Sequence, residues 1–210
     1  MGSAGEKAQL LAVLEQARRL GYLGPGPVED HVKHGYGFVA AAGGDQRGLV
    51  VDLGSGGGVP GMILALAWPE ATLVLLDASE RRTQFLIAAV RQLELGPPRV
   101  NVVRGRAEAV GRQGRWRRSA DLVVARGFGG PAVVAECAAP LLRVGGRLIV
   151  SEPPDEREGR WPMAGLGQLG LSSTGTVCGG GFWYQILSQV EPCPERFPRR
   201  PGIPAKRALC

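Results

Sequence analysis

Apolar positions near the start of the chain recur at helical spacing, and from residue 49 onward they bunch into short runs. Residues 6–20, EKAQLLAVLEQARRL, place Leu10, Leu14 and Ala17 on one helical face with Leu11 beside them, and Gly21 is a stop signal. GPGP at 24–27 reads as a loop. A second helix is predicted over 28–42, weakened by Gly35 and Gly37. Then come LVVDL at 49–53, TLVLLD at 72–77, RVNVV at 99–103, DLVVA at 121–125 and RLIVS at 147–151. These runs are almost continuously apolar, as strands covered on both faces are. Helical patterns at 60–68, 79–94, about 107–112 and 131–142 separate them. Ser79 is a good N-cap, Gly96-Pro97-Pro98 an emphatic stop, and Pro131 suits a first helical turn.

Alternating strands and helices predict right-handed crossovers and a parallel sheet. The end of the chain breaks that rhythm. LSSTGTV and FWYQILSQV (182–190) flank CGGG, a hairpin signal, and strands joined by a tight turn are antiparallel. Five parallel strands followed by a hairpin make an α/β, seven-stranded, mostly parallel sheet. That is the Rossmann-like strand plan of class I S-adenosylmethionine-dependent methyltransferases, not the six parallel strands of a nicotinamide-binding domain. Residues 153–168 read as a loop with a short helix, and 191–210 as a basic, proline-rich tail. The expected organisation is a single domain: a helical extension over 1–45, a core over 46–190 and the tail.

The stretch VVDLGSGGGVPG, Val50 to Gly61, joins the first strand to its helix with little side chain. Main chain can approach a ligand closely there, and amides at a helix start favour negative charge. Asp52, Gly54, Gly56 and Gly58 meet the pattern D-x-G-x-G-x-G, which suits S-adenosylmethionine: backbone donors for its carboxylate and an acid for its ammonium. Residues 56–61 also satisfy G-x-G-x-x-G, a weak dinucleotide signal. Asp77 ends the second strand, where it accepts hydrogen bonds from a ribose in either case. The antiparallel ending and the position of Asp52 favour S-adenosylmethionine.

Composition adds limits. The 210 residues, 44% hydrophobic and 21% charged, suit one globular domain, read here as a monomer. There is no apolar run of membrane-spanning length and no secretory signal, so a cytoplasmic protein is expected. Cysteines 137, 178, 193 and 210 have no C-x-x-C spacing and read as free thiols. His31 and His34 read as surface or core histidines, and no metal is expected. A net charge of +6 favours a polyanionic partner.

Ligands of open α/β sheets sit beyond the carboxyl ends of the strands. The end of the fourth, DLVVARGFGGP, should therefore face the methyl acceptor. It lacks the N-P-P-Y that polarises an exocyclic amine and the Pro-Cys of attack on a pyrimidine; Cys137 lies within the next helix. Arg126 remains. A ring nitrogen such as guanine N7 has a lone pair and no proton, so placement is enough. Arg126 would bind the acceptor's O6/N7 edge or position the cofactor, with a surface ion pair as the bland alternative. Phe128 stacks on a base or packs in the core.

The blocks VVDLGSGGGVPGMILALAWPEATLVLLDASERRTQFL, VVRGRAEAV, DLVVARGFGGPAVVAECAAPLLRVGGRLIV and FPRRPGIPAKRAL together resemble the glucose-inhibited division protein B family. The resemblance implies a guanine-N7 methyltransferase of small-subunit (16S) ribosomal RNA. It implies that Gly54, Val59, Asp77, Ala78, Ser79, Ala107, Glu108 and Arg126 contact S-adenosylmethionine. Two positions depart from the family pattern. Asp30-His31 stands where Arg-His is usual, and Ser151-Glu152-Pro153 where Lys-Gly is usual. Acidic residues at 152, 155, 156 and 158 lie where RNA phosphate is expected and would repel it. A different acceptor, or a non-catalytic RNA- or cofactor-binding role, stays open beside the ribosomal one.

Two basic clusters carry aromatics: Arg112, Arg115, Arg117 and Arg118 around Trp116, and Arg196, Arg199, Arg200, Lys206 and Arg207 near Phe197. That mixture suits single-stranded nucleic acid. The first cluster reads equally as a solvated loop. In the tail, with prolines holding it extended, Arg199, Arg200 and Lys206 are expected on ribosomal RNA or the small subunit.

Overall fold

A computed structural model describes residues 4–154 and 159–209. The helices are α1 (Ala4–Arg19), α2 (Val28–Ala42), α3 (Gly61–Ala67), α4 (Glu80–Gln92), α5 (Ala107–Val110), α6 (Pro131–Ala138), α7 (Met163–Gln168) and α8 (Ile203–Lys206). The strands are β1 (Leu49–Leu53), β2 (Thr72–Asp77), β3 (Val100–Arg104), β4 (Ala120–Ala125), β5 (Leu142–Glu152), β6 (Leu171–Gly179) and β7 (Phe182–Gln189). They form one seven-stranded sheet in the order β3-β2-β1-β4-β5-β7-β6. The first five pair in parallel, and β7 lies antiparallel between β5 and β6. Strand order reverses between β1 and β4, the crevice where such sheets bind ligands.

Each face of the sheet is covered, which is why its strands read as unbroken apolar runs. Val50, Leu73, Leu75 and Leu122 pack under α1–α4, while Val51, Leu53, Val74 and Val123 pack under α6 and α7. The helices before β1 share the first of these cores through Leu10, Leu14 and Phe38. Gly37 is the reason α2 sits so close to the hairpin: a Cβ there would lie 2.7 Å from the Gly179 carbonyl. No helix among the described residues is long and apolar enough to cross a membrane.

Two elements differ from the sequence reading. α6 ends at Ala138, not 142, because Pro140 has no N–H for the helix ladder, and β5 starts already at Leu142. The tail is not an extended arm. Cys193, Phe197 and Pro204 are buried, and Cys193 and Phe197 belong to the α6–α7 core. The cluster at 112–118 docks it. Arg117 donates to the carbonyls of Cys193, Pro194 and Phe197 at 3.1, 3.0 and 2.9 Å, and Arg118 to that of Cys193 at 2.9 Å. Both pair with Glu195, and Arg112 donates to the Arg196 carbonyl at 3.3 Å. Tail carbonyls therefore hold guanidinium groups that the sequence reading offered to RNA. Arg115 stays exposed over Trp116. Acids 155, 156 and 158 lie outside the described residues.

Candidate active site

Three cavities meet at the carboxyl ends of the strands. One of about 280 Å³ lies beyond β2 and β3, bordered by Asp77, Ala78, Ala107, Glu108 and Phe128. A second, also about 280 Å³, lies beyond β1 and is bordered by Leu23, Gly56, Val59 and Arg126. Gly54 joins these two into a trough. A third, about 500 Å³, opens on the far side of Arg126 against His34, Phe128, Glu152, Trp161 and Phe182. Gly127 borders all three.

Asp77 organises the trough. One carboxylate oxygen accepts from the Gly56 N–H at 2.9 Å and the other from the Ser79 N–H at 2.8 Å. Each oxygen keeps a second lone pair for a diol in the cavity it borders. Ser79 itself borders none of the three cavities; its hydroxyl caps α4, accepting from the Arg82 N–H at 3.4 Å. Replacing Asp77 by alanine should weaken nucleoside binding by roughly 1–3 kcal/mol, about 5- to 150-fold, in calorimetry. Unchanged affinity would move the ribose elsewhere.

Asp52 lies apart from the cavities: it is buried, borders none of the three and accepts the Gly61 N–H at 3.0 Å, so it secures the start of α3. Gly58 also serves packing: a Cβ there would lie 3.0 Å from Met62 Sδ. Nor does the turn offer a ring of free donors. The N–H groups of Gly54 and Ser55 go to the Leu76 carbonyl, that of Gly58 to Ser55, and that of Gly56 to Asp77. A dinucleotide's diphosphate would need those amides and would face Asp77 and Glu108. The uncharged hydroxyls and base of a nucleoside can instead lie beside those two carboxylates.

Burial raises the Asp52 carboxyl from 3.8 to about 7, although its hydrogen bonds favour the charged form. A carboxyl with a higher pKa folded than unfolded contributes stability below its unfolded value. That contribution is lost as pH rises through the folded value. The affected window runs from 3.8 to about 7. Asp52→Asn should therefore flatten the fall of the thermal midpoint across this window; an unaltered slope would contradict the burial argument.

Arg126 stands on the wall between the second and third cavities. Its Nη2 bonds His31 Nδ1, and its Nη1 is buried with no hydrogen-bond partner among the described residues. His31 Nε2 lies 3.1 Å from the Gly24 carbonyl. A carbonyl only accepts, so Nε2 carries the proton and Nδ1 receives from Arg126. Burial, then the Arg126 charge, lowers the His31 pKa, in keeping with that neutral tautomer. Burial lowers His34 to about 4, and its neutral ring stacks on Phe182 at 4.2 Å. The sequence reading left both histidines without a role. Their spacing puts them on one face of α2, but Arg126 lies 95 residues from His31. Asp30, at the first departure from the family pattern, is exposed and 3.6 Å from Lys33.

At the second departure, Glu152 is buried, takes the Trp161 Nε1–H at 2.8 Å and pairs with Arg160 at 2.9 Å. Its charge is thus answered inside the protein. Phe128 packs over Gly54, where a Cβ would lie 3.3 Å from its Cε2, and it borders the first and third cavities. Arg199 grips Glu136; Arg200 and Lys206 are exposed. Cys137, Cys178 and Cys193 are free thiols.

A switch-point trough with this strand order defines a class I S-adenosylmethionine-dependent methyltransferase. The fold is similar to that of a SAM-dependent methyltransferase from Aquifex aeolicus, with a TM-score of 0.60 at 14% identity, covering 83% of this chain and 97% of that one. The profile of the rRNA small subunit methyltransferase G (GidB) family matches residues 34–154, and the chain belongs to that family. A ribosomal RNA small subunit methyltransferase G from Moorella thermoacetica is 38% identical over 76% of this chain and 69% of its own. The protein of that name from Symbiobacterium thermophilum is 36% identical over 87% and 80%.

Proposed function

We propose that this protein transfers the methyl group of S-adenosylmethionine to N7 of a guanine in small-subunit ribosomal RNA, in the cytoplasm. The observation that carries the reading is Arg126, placed between trough and acceptor cavity with a buried N–H that has no partner among the described residues. Bound cofactor supplies an electrophilic methyl on a sulfonium. The trough's residues fit it: Asp77 takes the ribose, Ala78, Ala107 and Glu108 border the base, and residues 54–59 flank the amino-acid end. The Arg126 Nη1–H then serves either the methionine carboxylate or guanine O6. No side chain needs to remove a proton, because N7 has none. His34, neutral and stacked on Phe182, gives the acceptor cavity a flat wall suited to a base.

RNA outside that cavity would meet the exposed cations Arg115, Arg196, Arg200 and Lys206. The test is mass mapping of ribosomal RNA from a strain lacking the gene, before and after treatment of its small subunits with purified protein. One N7-methylguanosine should be missing and then restored. A full complement in the deletion strain would refute the ribosomal acceptor.

A further inference from the structure

The tail has an inner side that the RNA reading does not use. Arg199 donates from Nε and Nη2 to Glu136 at 2.9 and 2.6 Å, and its backbone N–H reaches the same carboxylate at 2.8 Å. Three residues later the Gly202 N–H donates to Glu108 Oε1 at 2.9 Å. Glu108 also takes Arg106 at 3.0 Å. Burial alone would raise the Glu108 carboxyl; these hydrogen bonds outweigh it and hold the group below its ordinary value. Between those anchors and the end of α8 the chain brings Ala205 to the edge of the first cavity, facing Ala107, Glu108 and Cys137. Ala107, Cys137 and Ala205 keep that part of the lining small, which leaves width for a purine ring.

We infer that residues 199–207 are the outer wall of the nucleoside half of the cofactor cavity, so that S-adenosylmethionine binds tightly only when the tail is docked through Arg199–Glu136 and Gly202–Glu108. The inference rests on the placement of the cofactor and is independent of the methyl acceptor. If docking favours binding, binding must favour docking by the same factor. Two measurements on the purified full-length protein test it, without RNA. In the first, saturating S-adenosylhomocysteine should slow tryptic cleavage after Lys206 and Arg207, both exposed, by about tenfold or more. Cleavage after Arg19, at the end of α1, should keep its rate and serves as the control. In the second, Ala205→Trp should weaken S-adenosylhomocysteine binding by about tenfold or more in calorimetry. Residue 205 is exposed, so the ligand-free melting point should hold.

Equal cleavage rates with and without ligand, or an Ala205→Trp affinity equal to the parent's, would overturn the inference. Failure of the parent to bind the ligand at all would instead strike at the cofactor site itself.

Discussion

Arg199→Ala is expected to lower the stability of the protein by about 3 kcal/mol, the lower end of the cost of breaking a buried ion pair from one side. Glu136 has no exposed side-chain surface, whereas Arg199 is about a quarter exposed, which sets the lower end. Removing the guanidinium strips the carboxylate of its cationic partner and leaves it the Arg199 N–H, which is held in place only by the docked tail. Phe197 and Cys193 then lose one of the clamps that keep their stretch against the sheet-side core, with those from Arg117 and Arg118 remaining. For a domain of this size the melting midpoint should fall by roughly 6–12 °C. Arg199→Lys should not restore it, because an ammonium cannot make the two parallel bonds. Replacing both partners by apolar residues should do less harm than the single change. A midpoint within about 2 °C of the parent would show that the tail is not anchored there.

The second large effect is catalytic. Arg126→Ala should reduce the rate of methyl transfer by on the order of 10²-fold or more, with a smaller effect on the RNA concentration needed for half-maximal rate. The reasoning is geometric. Among the described residues, the guanidinium is the one cation that borders both the second and third cavities, and His31 fixes its plane. Without it the reacting atoms lose their common reference, while the exposed cations that draw RNA are untouched. Arg126→Lys should be nearly as slow, since one ammonium cannot hold His31 and present a second donor. Single-turnover rates with small-subunit particles, alongside cofactor affinity, make the distinction. Loss of cofactor affinity with an unchanged single-turnover rate at saturation would assign Arg126 to the methionine carboxylate alone.

The sheet was legible because its signals are local. LVVDL and TLVLLD coincide with β1 and β2, the second helix with α2, and Ser79 caps α4 as its spacing implied. Asp77 at the end of β2 was placed by the strand itself, whereas Ala78, Ala107 and Glu108, which border the same cavity, came into view through the family resemblance. What escaped depends on direction and distance. Asp52 and Gly58 sit in the expected motif, yet one points into α3 and the other packs on Met62; no sequence spacing states which way a side chain faces. Arg117 finds its tail carbonyl partners 76 to 80 residues away, so its cluster is identical on paper to an RNA patch. His31 acquires its role only when β4 brings Arg126 beside α2. Polar groups with partners distant in sequence are invisible to periodicity, and those partners decide whether a cation is free for a ligand.

The most direct test is a crystal structure of the protein with S-adenosylhomocysteine. The purine should lie between Ala107 and Ala205, the ribose hydroxyls on Asp77, and the sulfur beside Gly127 with its open side toward Arg126 and the His34–Phe182 wall. A nucleoside seated instead among Trp161, Glu152 and Phe182, or a sulfur facing away from that cavity, would contradict the account.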